Sequence, residues 1–321
     1  MEFINRTGWP AKWLVGSTGE REMLGIAVCK ATWRVQDGRL VPAAAGEHWP
    51  VFDKPATLAG ATFAGEIDNR KPGADLVILG QARAPGGKAV PQLEVSAQCG
   101  RLHHRTLVIG DRRWERSWGR IRATPPTPFH ELPLSNDRAF GGQASYEGQP
   151  LPHVINPIGR GYHITKDDAD GKPLPNLERP GQLIAAWNDA PLPACWLKPA
   201  GPLELGAGGE PMAMAQRMME SGFNISVPEL IAADGALGER VLLRGFSAEG
   251  ELDLPLPPAH GPVGHVTLGA RTSVMPSRLT AVVVLPDARA VVGTYHCLFR
   301  YLMSPRDRRA VELRWPEGAH V

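Results

Sequence analysis

The chain has 321 residues, 43% apolar and 21% charged, with a net charge of +2. That composition supports a sizeable hydrophobic core and argues against disorder. So small a net charge excludes a nucleic-acid or membrane partner recruited by bulk electrostatics.

Two basic runs, Arg112, Arg113 and Arg116, then Arg306, Arg308 and Arg309, are broken by Asp111, Glu115 and Asp307, and read as solvated faces. Glycine and proline together make up about a fifth of the chain, against roughly 12% in ordinary proteins. Without a collagen period or a low-complexity tract, this excess predicts many turns and long ordered loops, hence short strands rather than long helices. The four cysteines, Cys29, Cys99, Cys195 and Cys297, form no CxxC pair. Their spacing does not fit a zinc site, and buried free thiols are expected. The N-terminus shows no basic start followed by an apolar stretch, and no apolar run approaches ~18 residues. The expected location is the cytoplasm.

In chain order, residues 22–41 read as a hairpin turning at Asp37-Gly38, with Met23, Gly25, Ala27, Cys29, Ala31 and Trp33 on one strand face. Residues 75–114 read as an antiparallel meander of three strands near 76–80, 93–97 and 102–109, turning at 84–88 and 99–101. Residues 120–200 carry thirteen prolines but also Phe140, Tyr162, Trp187 and Trp196. Aromatics bury large areas, so this stretch is expected to be ordered and packed against the sheets. Residues 210–221, with Pro211 at the start and Gly222 after the end, predict a short helix. Strands return at 240–244 and 252–256, and again at 281–285 and 290–295. The expected fold class is mostly β, with antiparallel sheets in a sandwich-like arrangement. The expected organisation is one β-rich domain over 1–321, divisible into lobes at 1–120, 121–235 and 236–321.

Catalytic and cofactor signatures are weak. Gly159-Arg160-Gly161 lacks the third glycine and the following helix of a dinucleotide loop, and reads as a turn. Asp167-Asp168-Ala169-Asp170-Gly171 resembles the middle of a calcium loop, but Lys166 falls on the first ligand position and Leu177 on the twelfth. His103 and His104 are adjacent in a predicted strand, so their side chains point to opposite faces. His130, His153 and His163 lie in the Pro-rich segment and could converge in space, which spacing alone does not decide. There is no GxSxG elbow, and the residues around Cys195 do not match a papain-like site. No cofactor and no metal are expected.

Six phrases, in order, carry a resemblance. They are Lys30-Ala31-Thr32-Trp33, Lys71-Pro72-Gly73-Ala74-Asp75-Leu76-Val77 with Gly80-Gln81-Ala82-Arg83-Ala84-Pro85, Gly110-Asp111-Arg112-Arg113-Trp114, Arg138-Ala139-Phe140-Gly141-Gly142, Asn156-Pro157-Ile158-Gly159-Arg160-Gly161 and Leu174-Pro175-Asn176-Leu177-Glu178. Together they resemble the bacterial family catalogued as domain of unknown function 2169, most closely over residues 1–200. Residues 200–235 look compressed beside that family. The resemblance implies a cytoplasmic adaptor or chaperone of a type VI secretion system. Such a protein binds a PAAR-containing effector, or an effector with its spike tip, and helps load it onto the spike. It implies no catalytic residues.

Within that reading the candidate partner-binding residues are Arg138, Phe140, Asn156, Arg160, Tyr162 and Asn176. The arginines suit carboxylates, and the two aromatics suit anchoring. The alternative is an enzyme acting on carbohydrate or cell-wall material, with Glu131, Asp137 and Glu178 in a loop-lined cleft.

Overall fold

The computed structural model describes residues 1–17, 22–54, 56–63, 65–66, 73–198, 225–302 and 309–316. The helix expected at 210–221 lies outside the described residues. The largest element is a seven-stranded sheet. Its path runs Ile231–Ala232, Ala74–Ile78, Ser277–Leu285, Ala290–Leu302, Glu22–Gln36 and Ala11–Ser17, with Arg39–Pro42 also paired to Glu22–Gln36. Ala74–Ile78 and Ser277–Leu285 run parallel; the other pairs in this sheet are antiparallel. At its centre, Glu22–Gln36 and Ala290–Leu302 pair from Arg34↔Ala290 to Glu22↔Leu302.

This sheet is buried on both faces, which is why its strands read as nearly continuous apolar runs. One face places Ala27, Cys29, Ala31, Trp33, Leu76, Ile78, Val282 and Val284 in the main core. On the other, Val77, Val283 and Val292 pack on Phe52 and Phe63, and Leu24, Ile26 and Val28 pack on Val51. A five-stranded sheet follows the order Leu177–Glu178, Leu102–Ile109, Gln92–Cys99, Arg240–Arg244 and Leu252–Pro255. Its Val95, Ala97, Val108, Leu243 and Leu254 enter the same main core. A four-stranded sheet, ordered Glu2–Asn5, Arg309–Arg314, Val263–Leu268 and Arg271–Met275, adds Val266, Val311 and Leu313. The fold is mostly β, and three sheets share one core.

The hairpins expected at 22–41, 240–256 and 281–295 are present. The meander is not. Gln92–Cys99 and Leu102–Ile109 do form a hairpin, but the strand before them, Ala74–Ile78, belongs to the seven-stranded sheet. All five of its residues are buried, so it takes an interior position rather than a place on the neighbouring sheet. The chain after it, Gln81–Arg83, pairs instead with Glu131–Pro133.

Four tight turns, Asp37-Gly38, Ala59-Gly60, Trp118-Gly119 and Glu147-Gly148, have positive φ at both central residues. That is the type I′ pattern, whose twist matches the flanking strands. All four cysteines are free and buried. No helix among the described residues is long and apolar enough to cross a membrane.

Candidate functional site

The Pro/Gly-rich segment is tied to the five-stranded sheet where Leu102–Ile109 ends. Beyond that strand the chain runs antiparallel to residues 171–176. Ile109 N donates to Asn176 O at 2.8 Å, Leu174 N to Arg112 O at 3.0 Å, and Trp114 N to Lys172 O at 2.9 Å. Trp114 drops into a small core with Phe140, Ala169, Leu174 and Ile184, and Ile121, Tyr162 and Trp187 pack around it. These aromatics are what keeps a proline-rich stretch ordered.

Within this frame two distant phrases cross. Phe140-Gly141 pairs in parallel with Arg160-Gly161. Tyr162 N donates to Gly141 O at 3.0 Å, and Gly142 N donates to Asn156 O at 2.8 Å. A Cβ on Gly141, which sits at φ 142°, would collide with the Asn156 carbonyl, and one on Gly159 with the Ala139 carbonyl. Glycine at both positions is therefore a requirement of close backbone approach.

Two fully buried asparagines lock the crossing. Asn156 Nδ2 donates to the carbonyls of Asn136 (2.8 Å) and Phe140 (3.0 Å). Its Oδ1 is buried without a partner. Asn176 Nδ2 donates to the Ile109 carbonyl (2.9 Å) and to Asp111 Oδ1 (3.0 Å). Its Oδ1 accepts from Arg138 Nη1 (3.1 Å) and Arg160 Nη1 (3.4 Å). Arg160 also grips Asp137, through Nε to the backbone carbonyl at 2.8 Å and Nη2 to the carboxylate at 3.3 Å.

The six candidate residues are thus brought into one hydrogen-bonded and packed knot, but they do not all face outward. Phe140, Asn156 and Asn176 are buried, and their influence on any interface runs through the loop shape they set. Arg138 and Arg160 keep about a quarter of their side chains exposed. Tyr162 is half-buried, edge-on to Phe140 and His153. What the segment does expose, besides Leu183 and Leu192, is Tyr146, Leu151, Val154 and Ile158. Single-residue reading did not select these four. The Glu147-Gly148 turn between the strands Gln143–Tyr146 and Gln149–Pro152 was their only local signal.

The three acids of the enzymatic alternative are each held by a different arginine. Glu131 pairs with Arg83 at 2.8 Å, Asp137 with Arg160 at 3.3 Å, and Glu178 with Arg112. Glu178 is buried and also accepts from Ile184 N at 2.9 Å. Arg112, read from sequence as part of a solvated basic run, has its guanidinium almost wholly buried in that pair. The physical reason is that 112–114 is a strand-like stretch clamped under residues 171–176, and the adjacent Trp114 pulls it into the small core.

A cavity of about 420 Å³ lies elsewhere, lined by Ile78, Leu79, Leu134, Leu197 and Leu285 with Asp287 at its edge. Asp287 is bound to Arg83 at 2.9 Å, and none of the nine candidate residues lines this cavity.

The Asp167–Asp170 stretch forms a one-turn helix, Lys166–Ala169, capped by Thr165. Asp167 and Asp170 both pair with Arg116. His103 is exposed and His104 buried, on opposite faces. Burial pushes the His104 imidazole down to about 4, against an opposing pull from Glu229. Burial also lowers His153 and His163. His130 meets the Gly87 carbonyl, His153 meets Phe140 and His163 meets Asp168, so the three do not converge. Among the described residues no group of three or more His, Cys, Asp or Glu could hold a metal ion.

A family model described as an uncharacterized protein conserved in bacteria (domain of unknown function 2169) matches residues 20–296. No curated protein and no solved structure matches the chain.

Proposed function

The chain belongs to the bacterial family of domain of unknown function 2169, and from that premise we propose that it is a cytoplasmic adaptor of a type VI secretion system, a binding protein rather than an enzyme. Its partner in this reading is a PAAR-containing effector, alone or with its spike tip, which it holds for loading. The observation that carries the reading is the combination found in the Pro/Gly-rich segment. Its backbone is over-determined by Asn156, Asn176 and the Phe140-Gly141/Arg160-Gly161 crossing, while Tyr146, Leu151, Val154 and Ile158 stay exposed.

Loops held this firmly lose little entropy on binding, which suits protein recognition. Arg138 and Arg160, partly exposed at the same knot, add donors for carboxylates. The pairing of Glu131, Asp137 and Glu178 with three separate arginines gives the carbohydrate-active alternative no comparable support.

The test is co-purification. The tagged full chain is co-expressed with the PAAR-containing effector or spike protein of the secretion cluster in which the proposal places its gene. A stoichiometric complex is expected. Failure of the purified wild-type chain to retain any of these proteins overturns the proposal.

A further inference from the structure

We propose that the hairpin Trp114–Ser117/Arg120–Ala123 is a docking finger for an acidic protein surface, with Trp118 as its apolar anchor and Arg120 and Arg122 as its charged contacts. The inference deepens the adaptor reading and rests on it for the identity of the partner.

Trp118 is 100% exposed, whereas the other eight tryptophans are buried or half-buried. Its backbone is also unfavourable, with φ 50° ahead of Gly119 at φ 74°. Left-handed backbone is an outlier for a bulky residue and suits Asn, Asp or Gly. The other three turns of this type carry Asp37, Ala59 and Glu147 at the same place. Neither burial nor turn preference therefore accounts for a tryptophan here. Local strain at an exposed tip is the kind of observation from which a function is argued.

The finger is held from below. Trp114 at its base is 1% exposed in the small core. Arg116 pairs with Asp167 and Asp170, its backbone N donates to Asp170 Oδ1 at 3.0 Å, and Lys166 Nζ donates to the Gly119 carbonyl at 2.6 Å. A preorganised tip costs little to order on binding.

Charge selects the partner. The outward strand positions are Glu115, Ser117, Arg120 and Arg122, in the pairs Ser117↔Arg120 and Glu115↔Arg122. Arg116 is neutralised by its aspartates, while Arg120 and Arg122 are exposed and make no ion pair among the described residues. Tryptophan and arginine are the residues most enriched at binding hot spots. A carboxylate-bearing surface with an apolar pocket completes both. A single-stranded nucleic acid would call for a run of stacking aromatics along a basic groove, and this tip has one tryptophan with a glutamate beside its arginines.

The experiment places the photo-crosslinking residue benzoylphenylalanine at position 118 of the full chain, and separately at exposed Val274, in the bacterium that encodes it. The expected result is a protein adduct specific to position 118. That protein, purified, binds the wild-type chain and loses at least about tenfold in affinity to Trp118→Asn and to Arg120→Glu/Arg122→Glu. Trp118→Asn keeps or raises the melting temperature, since Asn-Gly suits this turn, which separates lost docking from lost folding. Labelling no stronger than at Val274, an adduct to nucleic acid or lipid, or an identified protein whose binding both variants leave unmoved overturns the inference. A position-118 adduct to a protein other than an effector or spike, weakened by both variants, supports the finger and overturns the adaptor assignment.

Discussion

Arg112 donates to Glu178 across an ion pair in which the two side chains are only 10% and 1% exposed. Arg112 Nη2 also donates to the Pro175 carbonyl at 3.1 Å, while its Nε is buried without a partner. Removing one member of such a pair strands the other charge. Glu178→Gln is therefore expected to cost about 3–5 kcal/mol, read from urea unfolding. The double variant Glu178→Leu/Arg112→Met is expected to cost less than the sum of the singles, because it removes both charges together.

Asn156 is the second test. Its Nδ2 satisfies two carbonyls in a site with no solvent exposure. Asn156→Ala takes this donor from the buried Phe140 carbonyl and leaves the Asn136 carbonyl with Ala139 N alone, and is expected to cost about 1–3 kcal/mol. Asn156→Asp turns the donor into a third acceptor and is expected to cost more than the alanine. Denaturant midpoints of the two variants give that ordering directly, and the reverse order would contradict the hydrogen-bond assignment.

Gly141→Ala probes the backbone crossing itself. The new Cβ meets the Asn156 carbonyl, so the parallel pair with Arg160-Gly161 must open. Amide exchange at Gly142 and Tyr162, whose N–H groups donate to Asn156 O and Gly141 O, is expected to accelerate far more than exchange in Glu22–Gln36. A uniform change across both regions would mean the loop is not a separable unit.

Stability should also fall in acid through the histidines. Folding holds His104 at about 4 by desolvation, below an ordinary value near ~6.5. The folded state thus favours the neutral ring. The His104 contribution is fully present above about 6.5 and is lost as pH falls from there through about 4, up to roughly 3 kcal/mol. His153 and His163, also lowered by burial, act in the same direction. Unfolding midpoints between pH 7 and pH 4 should drop less steeply for His104→Gln than for the wild type.

The strands most legible in the sequence were those whose signal is local. Asp37-Gly38 announced its hairpin, and Cys99-Gly100-Arg101 announced the turn between Gln92–Cys99 and Leu102–Ile109. Ala74–Ile78 was legible as a strand but not as to its neighbour, because its parallel partner Ser277–Leu285 lies some two hundred residues away. The hairpin Val263–Leu268/Arg271–Met275 carries no such local signal. Gly264, His265 and Thr267 interrupt its apolar pattern, and Arg271–Met275 is largely exposed. At the candidate site the residues were legible and their roles were not. Asn156 and Asn176 read as partner contacts, yet Asn156 is buried at a crossing between residues twenty positions apart and Asn176 against Ile109 and Asp111, more than sixty residues away. The exposure of Trp118 is a property of the fold, whereas a tryptophan in a sequence is by default a core residue.

The pairing of Glu22–Gln36 with Ala290–Leu302 sets a schedule for synthesis. The fifteen-residue strand leaves the ribosome some 250 residues before its longest partner. Over that interval the apolar strand has an open edge, the geometry most prone to pairing with another chain. A transcript cut short before Ala290 would release a chain whose largest sheet lacks its middle, and such a product should go to inclusion bodies or proteases. Shielding of that edge until Ala290–Leu302 emerges is therefore expected to raise the yield of folded chain.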